Sequence, residues 1–259
     1  MLEESYFVNE QGKVEVEKSL SSSKTFAKVF LYFGLALLIT GVVSILTATL
    51  LFNLMLNDSN AYFITSTTLT IVGVISMVIC SLLIGVFAYK EGNKVLIPYI
   101  IYSISIGILL SGLAFFVSNP YIFGIVFLVT ASIFMIMALI GYFIGNKVGI
   151  IFQIVIGLSI GVIIFSLLNL FLFPWLFTGN VAAFNSYSLI YWIGEFLFLF
   201  IFMFYVVIDI NRLKSVARSG KVISTNLALF FAASLYTNFV NLFIRLFYLI
   251  AIFSNRNNK

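Results

Sequence analysis

The sequence lacks histidine altogether, has one cysteine and three prolines, and only 9% of its 259 residues are charged. Without histidine, neither a nucleophile–histidine–acid triad nor a histidine-based proton relay or metal site can be built. The single cysteine, Cys80, cannot form a disulfide within the chain, and we expect a small core residue inside its apolar run. The scarcity of proline suits long uninterrupted helices. No glycine-rich phosphate-binding loop occurs either, so the chain is not expected to be an enzyme.

Apolar residues are what the sequence has in excess. They make up 62% of the chain, more than a soluble protein of this length would carry. Seven apolar runs are each long enough to cross about 30 Å of hydrocarbon at about 1.5 Å per residue. They lie near residues 27–56, 62–89, 95–117, 121–145, 148–173, 187–209 and 222–253. The predicted fold is therefore an all-α integral membrane protein, a bundle of seven transmembrane helices over residues 26–253.

Polar segments flank this transmembrane domain. Residues 1–25 form a polar tail of mixed charge, for which a short surface helix and disorder are both open, and residues 254–259 form a short C-terminal tail. Eleven of the 14 Lys and Arg residues fall between the N-terminus and Lys28 and in the second, fourth and sixth loops. Because basic loops remain in the cytoplasm, we expect a multi-pass plasma-membrane protein with a cytoplasmic N-terminus and an external C-terminus. The net charge of +5 reflects this topology, and no nucleic-acid partner is expected.

One carboxylate stands out at the inner end of the sixth run. In IFMFYVVIDINRLK, residues 201–214, Asp209 ends an otherwise apolar helix. A charge at membrane depth costs several kcal/mol unless it is paired or hydrated. Asp209 therefore either has a function or marks the helix end among the lipid headgroups, and its helical spacing favours a function. That spacing places it on one helix face with four other polar residues: Tyr191, Glu195, Tyr205 and Arg212.

The seventh run carries a matching polar stripe. In ASLYTNFVNLFIRLF, the residues Ser234, Asn238, Asn241 and Arg245 follow at spacings of 4, 3 and 4, which places them on one helix face. Hydrocarbon offers no polar partner, so this face must contact protein or water. We expect it to face the stripe on the sixth helix. Hydrogen-bonded packing and an ion or proton site both explain such a pair, and the residues alone leave the two open.

Depth along these helices separates the polar groups. Glu195 lies 14 residues from Asp209, about 21 Å at 1.5 Å per residue, too far for the carboxylate pair of an aspartyl protease. If Asp209 and Asn238 are level, Glu195 and Arg245 differ by about 10 Å in depth. This spacing predicts that Glu195 and Arg245 do not form a direct salt bridge.

With these residues the chain resembles the Bax inhibitor-1 family, also called the transmembrane BAX-inhibitor-motif or lifeguard family, and in particular its bacterial members. The resemblance is carried by IFMFYVVIDINRLK and ASLYTNFVNLFIRLF, with weaker support from VTASIF, GYFIGNK and LLNLF. It extends over about residues 26–253, all seven predicted spans. It implies a seven-helix bundle with the last helix at its centre.

The resemblance also implies a site. Bacterial relatives carry a pH-sensing pair of Asp residues on helices 6 and 7, a basic residue at the inner end of helix 2 that latches to one of them, and a pH-dependent calcium leak. Asp209 matches the helix 6 acid and Lys90 the helix 2 base, but the helix 7 position holds Asn238. An amide removes the like-charge repulsion and one negative ligand for calcium, yet can still donate a hydrogen bond to the carboxylate. We therefore expect weak calcium binding at Asp209 and altered pH gating.

Two functions remain open at this point. The first is a passive leak for calcium or other cations, with a gate in which Lys90 or Arg212 holds Asp209, and no cofactor beyond transiently bound calcium. The second is a non-conducting scaffold that regulates a stress response or a membrane protease. A continuous hydrated stripe would favour conduction, whereas satisfied polar pairs would favour the scaffold. In the first reading the polar lining is formed by Glu195, Asn241, Arg245, Tyr205 and Arg212.

Overall fold

The computed structural model describes residues 3–115, 121–145, 148–176, 181–219 and 223–256, and the side chains within 22–115, 121–145, 148–163, 193–219 and 223–251. Throughout these segments the regular structure is helical. The helices are α1 (Glu3–Asn57), α2 (Ser59–Phe87), α3 (Leu96–Ser111, continued by a 3₁₀ turn at Gly112–Phe115), α4 (Tyr121–Phe143), α5 (Val148–Leu176), α6 (Val181–Arg218) and α7 (Thr225–Arg256). α1 thus begins inside the region predicted as a polar tail. The side chains of Tyr191 and of the C-terminal tail lie outside the described residues.

Among the segments with described side chains, six helices are long and apolar enough to span a membrane. Their spanning parts are Ser22–Asn57, Ser59–Phe87, Leu96–Phe115, Tyr121–Phe143, Ile193–Arg218 and Thr225–Ala251. In α5 the segment with described side chains, Val148–Ile163, is apolar but shorter. The prediction of an all-helical membrane protein with several spans is confirmed, while a seventh span and a central last helix stay predictions.

The chain folds into two compact units. Met1–Pro120 and Leu213–Tyr236 form the first unit, and Tyr121–Arg212 and Thr237–Lys259 form the second. Both α6 and α7 therefore contribute residues to each unit.

In the first unit, α3 packs against both α1 and α2 through small residues. Gly107 lies so close to α1 that an added Cβ would be 2.8 Å from Val43 Cβ and 2.9 Å from the Thr40 carbonyl oxygen. On the other side, the hydroxyls of Ser76 and Ser105 are hydrogen-bonded at 2.7 Å. Small residues let helix backbones approach, and hydroxyls add interhelical hydrogen bonds.

A buried hydroxyl network joins α7 to this packing. Thr40 Oγ1 donates to the Ser103 carbonyl oxygen at 3.0 Å and lies 2.5 Å from the hydroxyl of Tyr236. Because Thr40 has one hydroxyl hydrogen and uses it on Ser103, the Tyr236 hydroxyl must be the donor in the second bond. Tyr236 is fully buried, so this network fixes the first half of α7 against α1.

The loop between α2 and α3 is held by a side chain from α7. Asn226, which is fully buried, accepts a hydrogen bond from the Val95 N–H at 3.2 Å and donates one to the Lys90 carbonyl oxygen at 2.6 Å. Gly92 between them adopts φ +87°, a conformation that glycine takes without steric cost. The first turn of α7 therefore fixes the main chain of the residue predicted to act as a latch.

The second unit is built around α6. An apolar cluster joins α5 to α6 through Val155, Val162, Ile201 and Ile208. α4 crosses α6 closely at Gly141, where an added Cβ would be 2.5 Å from the carbonyl oxygen of Val207. α4 also contacts α7 through aromatic pairs such as Phe134 with Phe239. Gly141 therefore serves packing inside the second unit, because it lets α4 and α6 approach closely.

Candidate functional site

The two acidic residues of α6 both contact α7 within the second unit. Asn238 Nδ2 donates a hydrogen bond to Asp209 Oδ2 at 2.8 Å, and both residues are buried, each 7% exposed. The structure thus contains the amide-to-carboxylate hydrogen bond that the family resemblance allows at these positions. A carboxylate that accepts hydrogen bonds in a buried site is stabilised in its charged form at a depth where it would otherwise be costly.

Further along the same helices, Glu195 and Arg245 form an ion pair. Arg245 Nη1 lies 2.5 Å from both carboxylate oxygens of Glu195. The prediction that these residues do not form a salt bridge is therefore wrong. It counted the helical rise between Cα atoms only, whereas a long arginine stem can carry its charged group several ångströms from the Cα.

The guanidinium of Arg245 has a second contact on α6. Its central carbon lies 4.5 Å from the centroid of the Phe198 ring. A cation over an aromatic face gains about 0.5–2 kcal/mol, more when it is shielded from water. Arg245 is therefore held by a carboxylate and a ring from a single turn of α6.

Other residues of the predicted lining contact different partners. The Tyr205 hydroxyl lies 3.2 Å from Ser159 Oγ on α5, and the Arg212 guanidinium lies 4.6 Å from the centroid of the Phe152 ring, also on α5. Asn241 donates to the carbonyl of Thr237, one turn earlier on its own helix, at 2.9 Å. The polar residues of α6 therefore divide between α5 and α7 and do not all contact the stripe on α7.

Lys90 lies in the first unit. It is exposed, and its ammonium is 5.0 Å from the centroid of the Phe87 ring. A latch between Lys90 and Asp209, like one between Arg212 and Asp209, stays a prediction.

Two further asparagines were not singled out from the sequence. Asn211 Nδ2 donates to the carbonyl oxygens of Gly141 and Gly145 at 3.2 and 3.3 Å. Gly141 lies in the last turn of α4, where carbonyls lack partners within the helix, and Gly145 follows just after its end. Asn226 holds the α2–α3 loop, as described above. The glycine repeat at 141 and 145 was a usable signal for the first contact, whereas no local pattern indicates the second.

Metal ligation has little support within the described part of the chain. No group of three or more His, Cys, Asp or Glu side chains comes together there. Asp209 contributes one carboxylate, and the amide nitrogen of Asn238 occupies one of its oxygens. Calcium usually takes six to eight oxygen ligands, so any calcium here would be a transient substrate and water would complete its shell.

Several membrane-spanning helices with charged groups paired between them define a multi-pass α-helical membrane protein, which contacts the lipid bilayer. The family model described as Inhibitor of apoptosis-promoting Bax1 matches residues 22–255. The chain therefore belongs to this family of Bax-inhibitor membrane proteins, as its resemblance implied. A comparison with curated proteins finds no match to the chain.

Proposed function

We propose that this protein is a passive leak for calcium or other cations, with Asp209 as the charge that controls passage. The observation that carries the proposal is the buried hydrogen bond between Asp209 and Asn238. Ionisable groups inside transmembrane segments usually mark ion or proton pathways. Asp209 keeps the acidic position of the family site, while Asn238 in place of a second acid alters its response to pH.

The contacts of the second unit support a closed conformation. Asp209 is bound by Asn238, and the Glu195 carboxylate is bound by Arg245. A permeating cation would need these carboxylates as ligands, so both contacts must loosen before it can pass. In this proposal the protein lies in the plasma membrane with its N-terminus in the cytoplasm and its C-terminus outside, as its basic loops indicate.

Flux through liposomes that contain the purified protein tests the proposal. We expect Asp209→Asn to reduce calcium flux about tenfold or more, the effect of losing roughly 1.4 kcal/mol of cation stabilisation. We expect Asn238→Asp to make the flux depend more steeply on pH between about pH 5 and 8, because two carboxylates in contact cannot both ionise cheaply and therefore titrate as a pair. Calcium and proton flux would both be recorded with entrapped dyes.

Matched controls exist on α2. Asp58 is the N-cap of α2 and accepts hydrogen bonds from the N–H groups of Asn60 and Ala61. Asn caps helices as well as Asp does, so Asp58→Asn should leave flux unchanged, as should Asn60→Asp at an exposed position. Equal flux in the wild type and Asp209→Asn would contradict the role of Asp209, and no flux in any protein would contradict the leak.

A non-conducting scaffold for another membrane protein, such as a protease, is the second candidate. The observation in its favour is the satisfaction of polar groups: within the described segments, no buried side-chain nitrogen or oxygen lacks a hydrogen-bond partner. Polar side chains that are all hydrogen-bonded are expected in a scaffold, where they hold helices together, as well as in a closed gate. The absence of flux together with normal folding of all variants would leave this function as the conclusion.

A further inference from the structure

The ion pair between Glu195 and Arg245 is asymmetric in its construction. Glu195 and Phe198 are one turn apart on α6, so they share a face of that helix. Arg245 comes from α7, and its guanidinium lies against both the carboxylate and the ring. The carboxylate and the ring that contact the guanidinium thus both belong to α6, whereas the guanidinium itself belongs to α7.

The Phe198 ring is set in place independently of Arg245. Leu197 and Phe198 pack against the apolar cluster that joins α5 to α6, so the Phe198 ring is held by its own neighbours. The Glu195 side chain is 11% exposed, against 26% for Arg245. A largely buried carboxylate beside an aromatic face is the combination that recognises organic cations in proteins, since the charge and the ring quadrupole both attract them.

We infer that Glu195 and Phe198 form a binding site for a guanidinium or alkylammonium cation, and that Arg245 is its tethered occupant. The contact is then autoinhibitory: a cation that moves along the α6–α7 stripe must displace the Arg245 guanidinium from Glu195. This last consequence rests on the proposed leak, whereas the binding site does not. A purely structural ion pair differs in one measurable respect, because it would not accept a free cation in place of Arg245.

Chemical rescue separates the two cases. Arg245→Ala removes the occupant and leaves the Glu195 carboxylate buried without its partner. We expect the melting temperature of the full-length protein in detergent to fall by roughly 5 °C or more. Millimolar guanidinium chloride should recover at least half of this fall in Arg245→Ala, because the free ion can occupy the vacated position. An equal concentration of sodium chloride should not.

The double variant Glu195→Gln with Arg245→Ala is the matched control. It lacks both charges, so guanidinium should raise its melting temperature no more than that of the wild type. No rise in Arg245→Ala, or the same rise in the double variant, would overturn the inference. If Arg245→Ala does not fold alone, millimolar guanidinium chloride present during purification should recover its folded fraction, whereas an equal concentration of sodium chloride should not. No recovery, or equal recovery in the two salts, would likewise overturn the inference. No flux is measured, so failure of the leak proposal would not alter this result.

Discussion

Replacing Gly141 with alanine is expected to destabilise the protein by about 3 kcal/mol, the upper part of the usual range for overpacking. The added Cβ would lie 2.5 Å from the Val207 carbonyl oxygen and 2.9 Å from the Val207 Cα. These are main-chain atoms inside α6, which cannot turn away as a flexible side chain could. α4 and α6 would have to separate, and the hydrogen bonds of Asn211 to Gly141 and Gly145 would lengthen with them.

Unfolding in mixed detergent micelles would measure this loss, with Gly124→Ala as the control. Gly124 lies on the same helix, and an added Cβ there meets no atom within 4 Å. Alanine should therefore leave stability unchanged at position 124, or raise it by about 0.5–1 kcal/mol through its helix propensity. Similar stabilities for the two variants would show that the α4–α6 crossing is not tightly packed. Because Asp209 follows Val207 by two residues, Gly141→Ala should also disturb the hydrogen bond between Asp209 and Asn238.

Replacing Asn226 with aspartate is expected to cost about 3 kcal/mol, because a fully buried amide would become a carboxylate. Asn226 is fully buried and donates to the Lys90 carbonyl oxygen at 2.6 Å. A carboxylate oxygen in its place would face that carbonyl oxygen, and neither oxygen could donate a hydrogen bond. Each buried polar group left without a partner costs about 1–3 kcal/mol, and charged groups cost more. Acidification should recover part of the loss, since a protonated carboxyl group can again donate to that oxygen.

The same unfolding measurement applies to Asn226→Asp, with Asn60→Asp as its control. Asn60 is exposed in the first turn of α2, where a negative charge is favourable. Its effect should stay within about 0.5 kcal/mol. A stability loss at position 226 no larger than at position 60 would show that Asn226 does not anchor the loop that carries Lys90. A real loss would show that the first turn of α7 determines the main-chain position of the predicted latch.

Polar contacts with two elements converge on the second half of α6. Asp209 is bound by Asn238 on α7, and two residues later Asn211 caps the end of α4. A change at Asp209 is therefore adjacent to a contact that holds a neighbouring helix. In the proposed leak, loss of the hydrogen bond at Asp209 would therefore disturb the adjacent Asn211 and, through its contact, would move α4.

The sequence alone was sufficient for the membrane class, the family and the approximate bounds of six spans. Uninterrupted apolar runs of this length are typical of transmembrane helices, and a helix satisfies its backbone hydrogen bonds within one segment. Helical periodicity also placed Asp209 and Asn238 on polar faces of their helices, whereas their pairing was anticipated from the family resemblance. Membrane class, spans and helix faces are local properties, and local spacing is sufficient to predict them.

Tertiary structure decided how the polar groups are paired. Glu195 binds Arg245 although the rise per residue places them about 10 Å apart in depth, because the position of a charge depends on the side chain as well as on its Cα. Tyr205 and Arg212 contact α5, although periodicity places them with Asp209. Asn226 reaches a loop more than 130 residues earlier in the chain. The partner of a polar side chain depends on which helices are adjacent and on how far the side chain extends. The spacing of residues along one sequence gives no information about either.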